Sequence, residues 1–308
     1  MKTILVTGGA GFLGSHLCDR LIKNGNKIIC VDNLSTGSAR NIEHLQNHPN
    51  FVFVEHDIRR YQKWAVDEIY NLACPASPEQ YQKKPAYTIE TCVLGILNML
   101  ELVRETGARI LQASTSEIYG DPLQHPQTES YWGNVNTLGP RGCYDEGKRC
   151  AESMLIAYRD QYHCQIKIAR IFNTYGPRMQ HHDGRVVSNF IVQALQGSDI
   201  TFYGTGRQTR SFCYVSDTVE ALVRLMATVD FEGPVNIGNP AEITLLELAD
   251  VILTKTQSSS QKIFLAPVRD DPAKRQPDIT LAKQMLGWSP QVTIDQGLDQ
   301  TIHWFSGS

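Results

Sequence analysis

Of the twelve tyrosines in this chain, only Tyr144 has a lysine four positions on, Lys148. On a helix that spacing puts both side chains on one face. An ammonium beside a phenol stabilises the phenolate and is expected to draw its pKa toward neutrality, giving a usable general base. By itself such a pair is as readily two neighbours on a surface helix. Its meaning comes from what precedes it, an apolar strand running into Ala113-Ser-Thr-Ser-Glu-Ile-Tyr-Gly120. Thr115 there stands where a hydroxyl can share a substrate proton with Tyr144.

A second group opens the chain. Ile4, Leu5 and Val6 run into Gly8, Gly11 and Gly14, and the spacing of Phe12, Leu13 and Leu17 starts a helix. Gly8 permits a tight turn, Gly11 lets backbone approach a pyrophosphate, and Gly14 lets helix pack close on strand. The helix's free N–H groups and dipole then meet the phosphates. Eighteen residues past Gly14 a second apolar strand (Ile28, Ile29, Val31) ends on Asp32. A carboxylate there accepts from a ribose 2′-hydroxyl and repels a 2′-phosphate. Strand, glycines, helix, strand and acid in that order predict a bound dinucleotide, NAD rather than NADP.

The elements that must position these groups read as alternating strands and helices. Ile4–Val6, Ile28–Val31, Phe51–Val54, Ile69–Ala73, Arg109–Ala113 and Ile166–Ile171 are strand-like, with helical periodicity over Ile89–Arg104 and Ala151–Tyr158. This pattern predicts an α/β fold with a Rossmann-like, doubly wound parallel sheet. Asp57 is expected to close the third strand, where it would meet an adenine ring. From about Phe172 the text changes to Tyr175-Gly-Pro-Arg178, Tyr203-Gly-Thr-Gly-Arg207 and Arg269-Asp-Asp-Pro272. The expected division is a dinucleotide-binding domain over 1–172 and a smaller C-terminal α/β substrate-binding lobe over 173–308. A segment near 211–240 is expected to return to the first domain.

Composition narrows the function classes. A net charge of −3 gives no footprint for nucleic acid. Arg59-Arg60 and Lys83-Lys84 read as solvated faces, and no uninterrupted apolar run of spanning length predicts a membrane segment. The chain opens two residues before its first strand, so a leader peptide is not expected and a cytoplasmic location is. The eight cysteines form no CxxC pair and read as buried apolar residues, and the pair His181-His182 has no cluster to complete a metal site.

With these motifs assembled, the chain resembles the extended short-chain dehydrogenases/reductases, and within them the UDP-glucuronate decarboxylases. The similarity spans residues 2–304. It is carried by Leu72-Ala-Cys-Pro-Ala-Ser-Pro78, Ala113–Pro122, Tyr144-Asp-Glu-Gly-Lys-Arg149, Arg170–Met179, Asp183–Phe190 and Asp271-Pro-Ala-Lys-Arg-Gln-Pro-Asp278. One departure is Cys92, in Thr91-Cys-Val-Leu-Gly95, where the family usually has asparagine on the nicotinamide side of the pocket.

The resemblance implies NAD-dependent oxidation at C4 of UDP-glucuronate, loss of CO2 from the resulting β-keto acid, protonation at C5 and return of the hydride, giving UDP-xylose. It implies that Tyr144 takes the C4 proton with Thr115 and Lys148 assisting. Ser116 and Glu117 would act at the pyranose, and Arg275 would touch the substrate or supply the C5 proton. Asn173, Arg178, Arg185, Tyr203 and Arg210 are its candidates for the sugar nucleotide, guanidinium forks suiting phosphate oxygens. Further cofactor contacts are implied for Phe12, Leu13, Asn33, Ser35, Thr36, Gly37, Asp57, Ile58, Leu72, Cys74, Thr91 and Ala113. A homodimer is implied too, joined by helices from Ile89–Arg104 and Glu146–Tyr158. The rivals are a nucleotide-sugar 4-epimerase, a 4,6-dehydratase and an NAD-sensing regulator. A dehydratase carries an Asp-Glu couple after its threonine, and this chain has Ser116-Glu117, serine being a poor proton donor.

Overall fold

A computed structural model describes residues 1–267 and 274–307. The first half alternates as predicted: β1 (Thr3–Thr7), α1 (Phe12–Lys23), β2 (Lys27–Asp32), β3 (Phe51–Glu55), β4 (Glu68–Asn71), α2 (Pro78–Lys83), α3 (Pro85–Thr106), β5 (Arg109–Thr115), α4 (Gly142–Tyr162) and β6 (Ile166–Ile171). The second half comprises β7 (Thr174–Tyr175), α5 (Val186–Leu195), β8 (Ile200–Tyr203), β9 (Thr209–Ser211), β10 (Cys213–Tyr214), α6 (Val215–Ala227), β11 (Val235–Ile237), β12 (Glu242–Thr244), α7 (Leu245–Thr256), β13 (Lys262–Leu265), α8 (Thr280–Leu286) and α9 (Ile294–Ser306).

Seven strands form one sheet in the order β11-β6-β5-β4-β1-β2-β3. Every pair in it is parallel. Alternation along the strands sorts the core into two layers. Ile4 and Val6 point to the face covered by α1 and α6, among Leu17, Leu21, Leu222 and Leu225. Leu5, Ile69 and Ile110 point to the opposite face, among Ile96 and Leu100 of α3 and Ala151 and Leu155 of α4. Burial on both sides is why these strands read as continuous apolar runs. The chain order reverses between β1 and β4, and that switch opens a crevice at the carboxyl ends of the strands. In the second half, β8 and β13, β9 and β12, and β7 and β10 pair in three two-stranded sheets.

Two expectations change. Asp57 does not close the third strand: β3 ends at Glu55, which pairs with Asp32, the last residue of β2, so no neighbouring backbone remains to extend it. Arg59 is not a solvated face, since its guanidinium grips Asp57 and Glu90 and lies 4.2 Å from the centre of the Tyr87 ring. Among the described residues, α3 is long and apolar enough to cross a membrane. Half of its most apolar stretch is buried, and it packs on α4 and β5.

Candidate active site

The turn after β1 shows why its glycines are there. Gly8 has φ of +68°, and a Cβ on it would stand 2.9 Å from the Ala73 backbone. A Cβ on Gly14 would strike the Gly8 carbonyl, and one on Gly11 would stand 3.0 Å from the same oxygen. α1 follows Gly11 with neither a side-chain cap nor an acidic residue in its first turn. The open N–H groups and the shallow, side-chain-free cradle fit a pyrophosphate. Asp32, buried at the end of β2, accepts from Ala10 N (3.0 Å) and Leu34 N (2.8 Å). The backbone N–H groups of Asn33 and Gly11 also reach this carboxylate, fixing it at the mouth of the cleft where a ribose hydroxyl would meet it. Gly37 lies against this carboxylate, with no room for a Cβ, and so shapes the turn rather than lining the cleft.

One continuous cleft runs from this cradle across the sheet. Phe12, Leu13, Asn33, Ser35 and Thr36 line its near end, and Asp57, Ile58, Leu72, Cys74, Thr91 and Ala113 its middle. Thr115, Ser116, Glu117, Tyr144 and Lys148 line its centre, and Asn173, Arg178 and Arg185 its far side. Sequence reading overlooked Tyr87, which accepts from Asn33 Nδ2 at 2.6 Å and carries Arg59 on its ring.

Thr115 is the last residue of β5, and its Oγ1 accepts from Glu117 N at 3.2 Å, turning the chain into a short 3-10 helix. The same hydroxyl reaches the phenol of Tyr144 in the first turn of α4. Lys148 donates to Ala113 O at 2.8 Å, and its ammonium lies 5.8 Å from the centre of the Tyr144 ring. Tyr81 stacks on that ring, with centroids 4.9 Å apart. The predicted drop in the Tyr144 pKa is not what the geometry yields. Burial pushes the phenol well above its ordinary value, and the nearby Cys74 adds to this against the Thr115 hydrogen bond. Desolvation of the phenolate outweighs the ammonium, whose proton is directed at a backbone carbonyl.

Glu117 is the electrostatic focus. Arg141, at the start of α4, donates to its Oε2, and Arg275 Nη2 stands 3.4 Å from the same oxygen. Burial alone would raise this carboxyl. The charges of Arg275 and Arg141 outweigh that and hold it at about 2. Asp145, one position after Tyr144, goes the other way, up to about 8, through burial and the negative charge of Glu117. Arg141 escaped the sequence reading, although its place three residues before Tyr144 was a usable signal.

The other expected substrate residues divide. Arg275 is buried, donating to Ser116 O and to Gly120 O at 2.9 Å, so it braces Glu117 from behind instead of reaching the cleft. Residues 271–273, the start of its motif, lie outside the described residues, as do Arg269 and Asp270. Arg210, on β9, is buried and electrostatically close to Glu117 without lining the cleft. Tyr203 is half-exposed at the end of β8, away from the cleft. Arg178 pairs with Asp19 at 2.8 Å, and Arg185 pairs with Asp183 and lies 5.5 Å from the centre of the Phe12 ring. No group of three or more His, Cys, Asp or Glu able to hold a metal occurs among the described residues.

A glycine cradle, an acid ending β2 and a Thr-Tyr-Lys constellation on a seven-stranded parallel sheet define an extended short-chain dehydrogenase/reductase. The family model for GDP-mannose 4,6 dehydratase matches residues 5–301. UDP-glucuronic acid decarboxylase 1 of Xenopus tropicalis is 53% identical over 304 residues, covering 99% of this chain and 72% of the relative. UDP-glucuronic acid decarboxylase 4 of Arabidopsis thaliana is 55% identical over 302 residues, covering 98% and 68%. Among solved structures, UDP-glucuronic acid 4-epimerase from Bacillus cereus, in complex with UDP-glucuronic acid and NAD, is similar with a TM-score of 0.91 at 27% identity, covering 99% of both chains. This chain belongs to the UDP-glucuronic acid decarboxylase family.

Proposed function

We propose that this chain converts UDP-glucuronate to UDP-xylose and CO2 with NAD recycled in place. NAD, when bound, accepts two electrons from C4 of the sugar and later gives them back. Gly8, Gly11, Gly14 and Asp32 would hold it, and Lys148 would reach its nicotinamide end. Taking the C4 hydroxyl proton requires Tyr144 as its phenolate, a state that the Lys148 ammonium and the positive charge of a bound nicotinamide would favour against burial, with Thr115 sharing the hydrogen bond. The same two hydroxyls then donate to O4 while CO2 leaves C5, the carbonyl oxygen accepting the electron pair as an enolate; C5 takes a proton, ultimately from water, before C4 is reduced again and Tyr144 returns its proton to O4. Glu117, anionic and anchored by two guanidinium groups, accepts from the sugar at the far edge.

The observation that carries this reading is the state of Glu117. A 4,6-dehydratase must protonate a leaving hydroxyl, and here the residue after Thr115 is Ser116 while the next carboxyl is held ionised at about 2. Decarboxylation of a β-keto acid needs no such donor. Incubation with UDP-glucuronate, read by mass spectrometry and CO2 release, is expected to give a UDP-pentose with no net NADH. Accumulation of UDP-galacturonate or of a dehydrated sugar would overturn the assignment.

The same reading extends to a homodimer. α3 and α4 pack against one another, and α3 leaves Ile89 and Leu94 exposed. A second copy of this helix pair would cover them as a four-helix bundle. Light scattering is expected to give twice the chain mass of 34.5 kDa; a monomer at micromolar concentration would remove the proposal.

A further inference from the structure

Cys92, in α3, does not stand alone. Its Sγ lies 3.3 Å from Sγ of Cys74, a hydrogen-bonded thiol pair joining α3 to the segment that follows β4. Cys74 lines the cleft, whereas Cys92 is buried. Behind Cys92, α4 is packed so closely that a Cβ on Gly147 would meet the Cys92 Cβ at 2.9 Å. The hydrogen bond between the sulfurs, with burial, raises the Cys74 thiol well above its ordinary value; the same bond lowers that of Cys92, and the Lys148 ammonium adds a smaller pull toward thiolate on both. A pair with one reachable sulfur, one sheltered sulfur and a neighbouring positive charge has the makings of a reversible oxidation site.

We propose that Cys74 and Cys92 form an oxidation site, in which a peroxide entering the cleft converts the two thiols to a disulfide and halts turnover. One sulfur, as thiolate, attacks a peroxide oxygen: an S–O bond forms, the O–O bond breaks, and the released hydroxide takes up that thiol's proton and leaves as water. The second sulfur then displaces hydroxide from the sulfenic acid. The S–S bond forms, the S–O bond breaks, and the second thiol's proton completes another water. Two thiols lose two electrons and the peroxide gains them.

The step asks for modest movement. The sulfurs must close from 3.3 Å to roughly 2.05 Å, and Cys74 sits on a stretch with no regular secondary structure. That stretch has little freedom elsewhere, since the Ala73 backbone lies against Gly8 with no room for a methyl group between them. Drawing Cys74 toward α3 therefore displaces the wall shared by the dinucleotide cradle and the Tyr144–Lys148 centre. Cys143, whose Sγ lies 3.6 Å from Tyr81 O, is the competing thiol nearby.

The test treats the NAD-loaded protein with hydrogen peroxide and maps thiols and cross-links by mass spectrometry. The expected result is a peptide pair linked through Cys74 and Cys92, two of the eight thiols lost per chain, weakened NAD binding, and at least tenfold loss of turnover restored by dithiothreitol. Cys92→Asn and Cys92→Ser are expected to yield no link and to inactivate at least tenfold more slowly, while Cys143→Ser follows the unaltered chain. Absence of the Cys74–Cys92 link, a link to Cys143 in its place, or unchanged inactivation in both Cys92 variants would overturn the proposal. Thiol counts, cross-links and NAD binding do not depend on which sugar is turned over, so failure of the decarboxylase assignment would be seen separately.

Discussion

The carboxylate of Glu117, which lines the cleft, forms a direct ion pair with the guanidinium of Arg141 behind the cleft wall, and Arg275 closes on the same oxygen. Glu117 reaches this position because Thr115 caps the short helix after β5, and Arg141 because it starts the helix that carries Tyr144 and Lys148. The pair thus ties the substrate edge of the cleft to the element that holds the proton acceptor.

Removing Arg275 should release that arrangement. In Arg275→Ala, Glu117 keeps Arg141 but loses the larger of its two charge partners, so its pKa rises and turnover gains an acid limb in a pH range where the unaltered protein is flat. Leaving the buried charge half-paired should also cost about 3 kcal/mol of stability. Arg275→Lys should recover little, because one ammonium cannot serve two carbonyls and a carboxylate as the guanidinium fork does. A pH–rate profile of Arg275→Ala matching the unaltered protein would refute the bracing role.

Tyr144→Phe should reduce turnover on the order of a hundredfold or more while NAD affinity holds. The stacked ring on Tyr81 is preserved by phenylalanine, so folding should not confuse the result. Lys148→Ala is expected to weaken both turnover and NAD binding. Calorimetric NAD titration beside steady-state rates separates the two effects; near-normal turnover of Tyr144→Phe would eliminate it as the base.

Asp32→Ala should narrow the preference for NAD over NADP, since a 2′-phosphate no longer meets a carboxylate. It also strips the backbone N–H groups of Ala10 and Leu34 of their acceptor, a cost of about 1–3 kcal/mol for each donor left buried and unpaired. Equal affinities for both cofactors before and after the substitution would mean that Asp32 serves only the turn.

Asp145 gives stability a particular pH dependence. Its carboxyl titrates at about 8 in the folded chain and at about 3.9 when unfolded. Between those values the folded state holds the extra proton, so this group's contribution falls as pH rises from about 4 to 8 and then levels off. Asp145→Asn should flatten the fall and raise the melting temperature at pH 8 more than at pH 5. An equal shift at both pH values would contradict this.

What the sequence determined alone is the local machinery. The glycine triplet, Asp32, the alternating strands and the Tyr144–Lys148 spacing each follow from neighbours a few residues apart, where sterics and helical or strand periodicity act without the rest of the chain. Resemblance then supplied Glu117 and its activity class. Only the tertiary structure decided how distant charges combine. It put Arg141 and Arg275 on Glu117, set Cys92 against Cys74, ended β3 before Asp57 for want of a paired strand, and buried Tyr144 deeply enough to raise its phenol instead of lowering it. Desolvation and pairing depend on what the fold brings within a few ångströms, and no spacing along the chain encodes that distance.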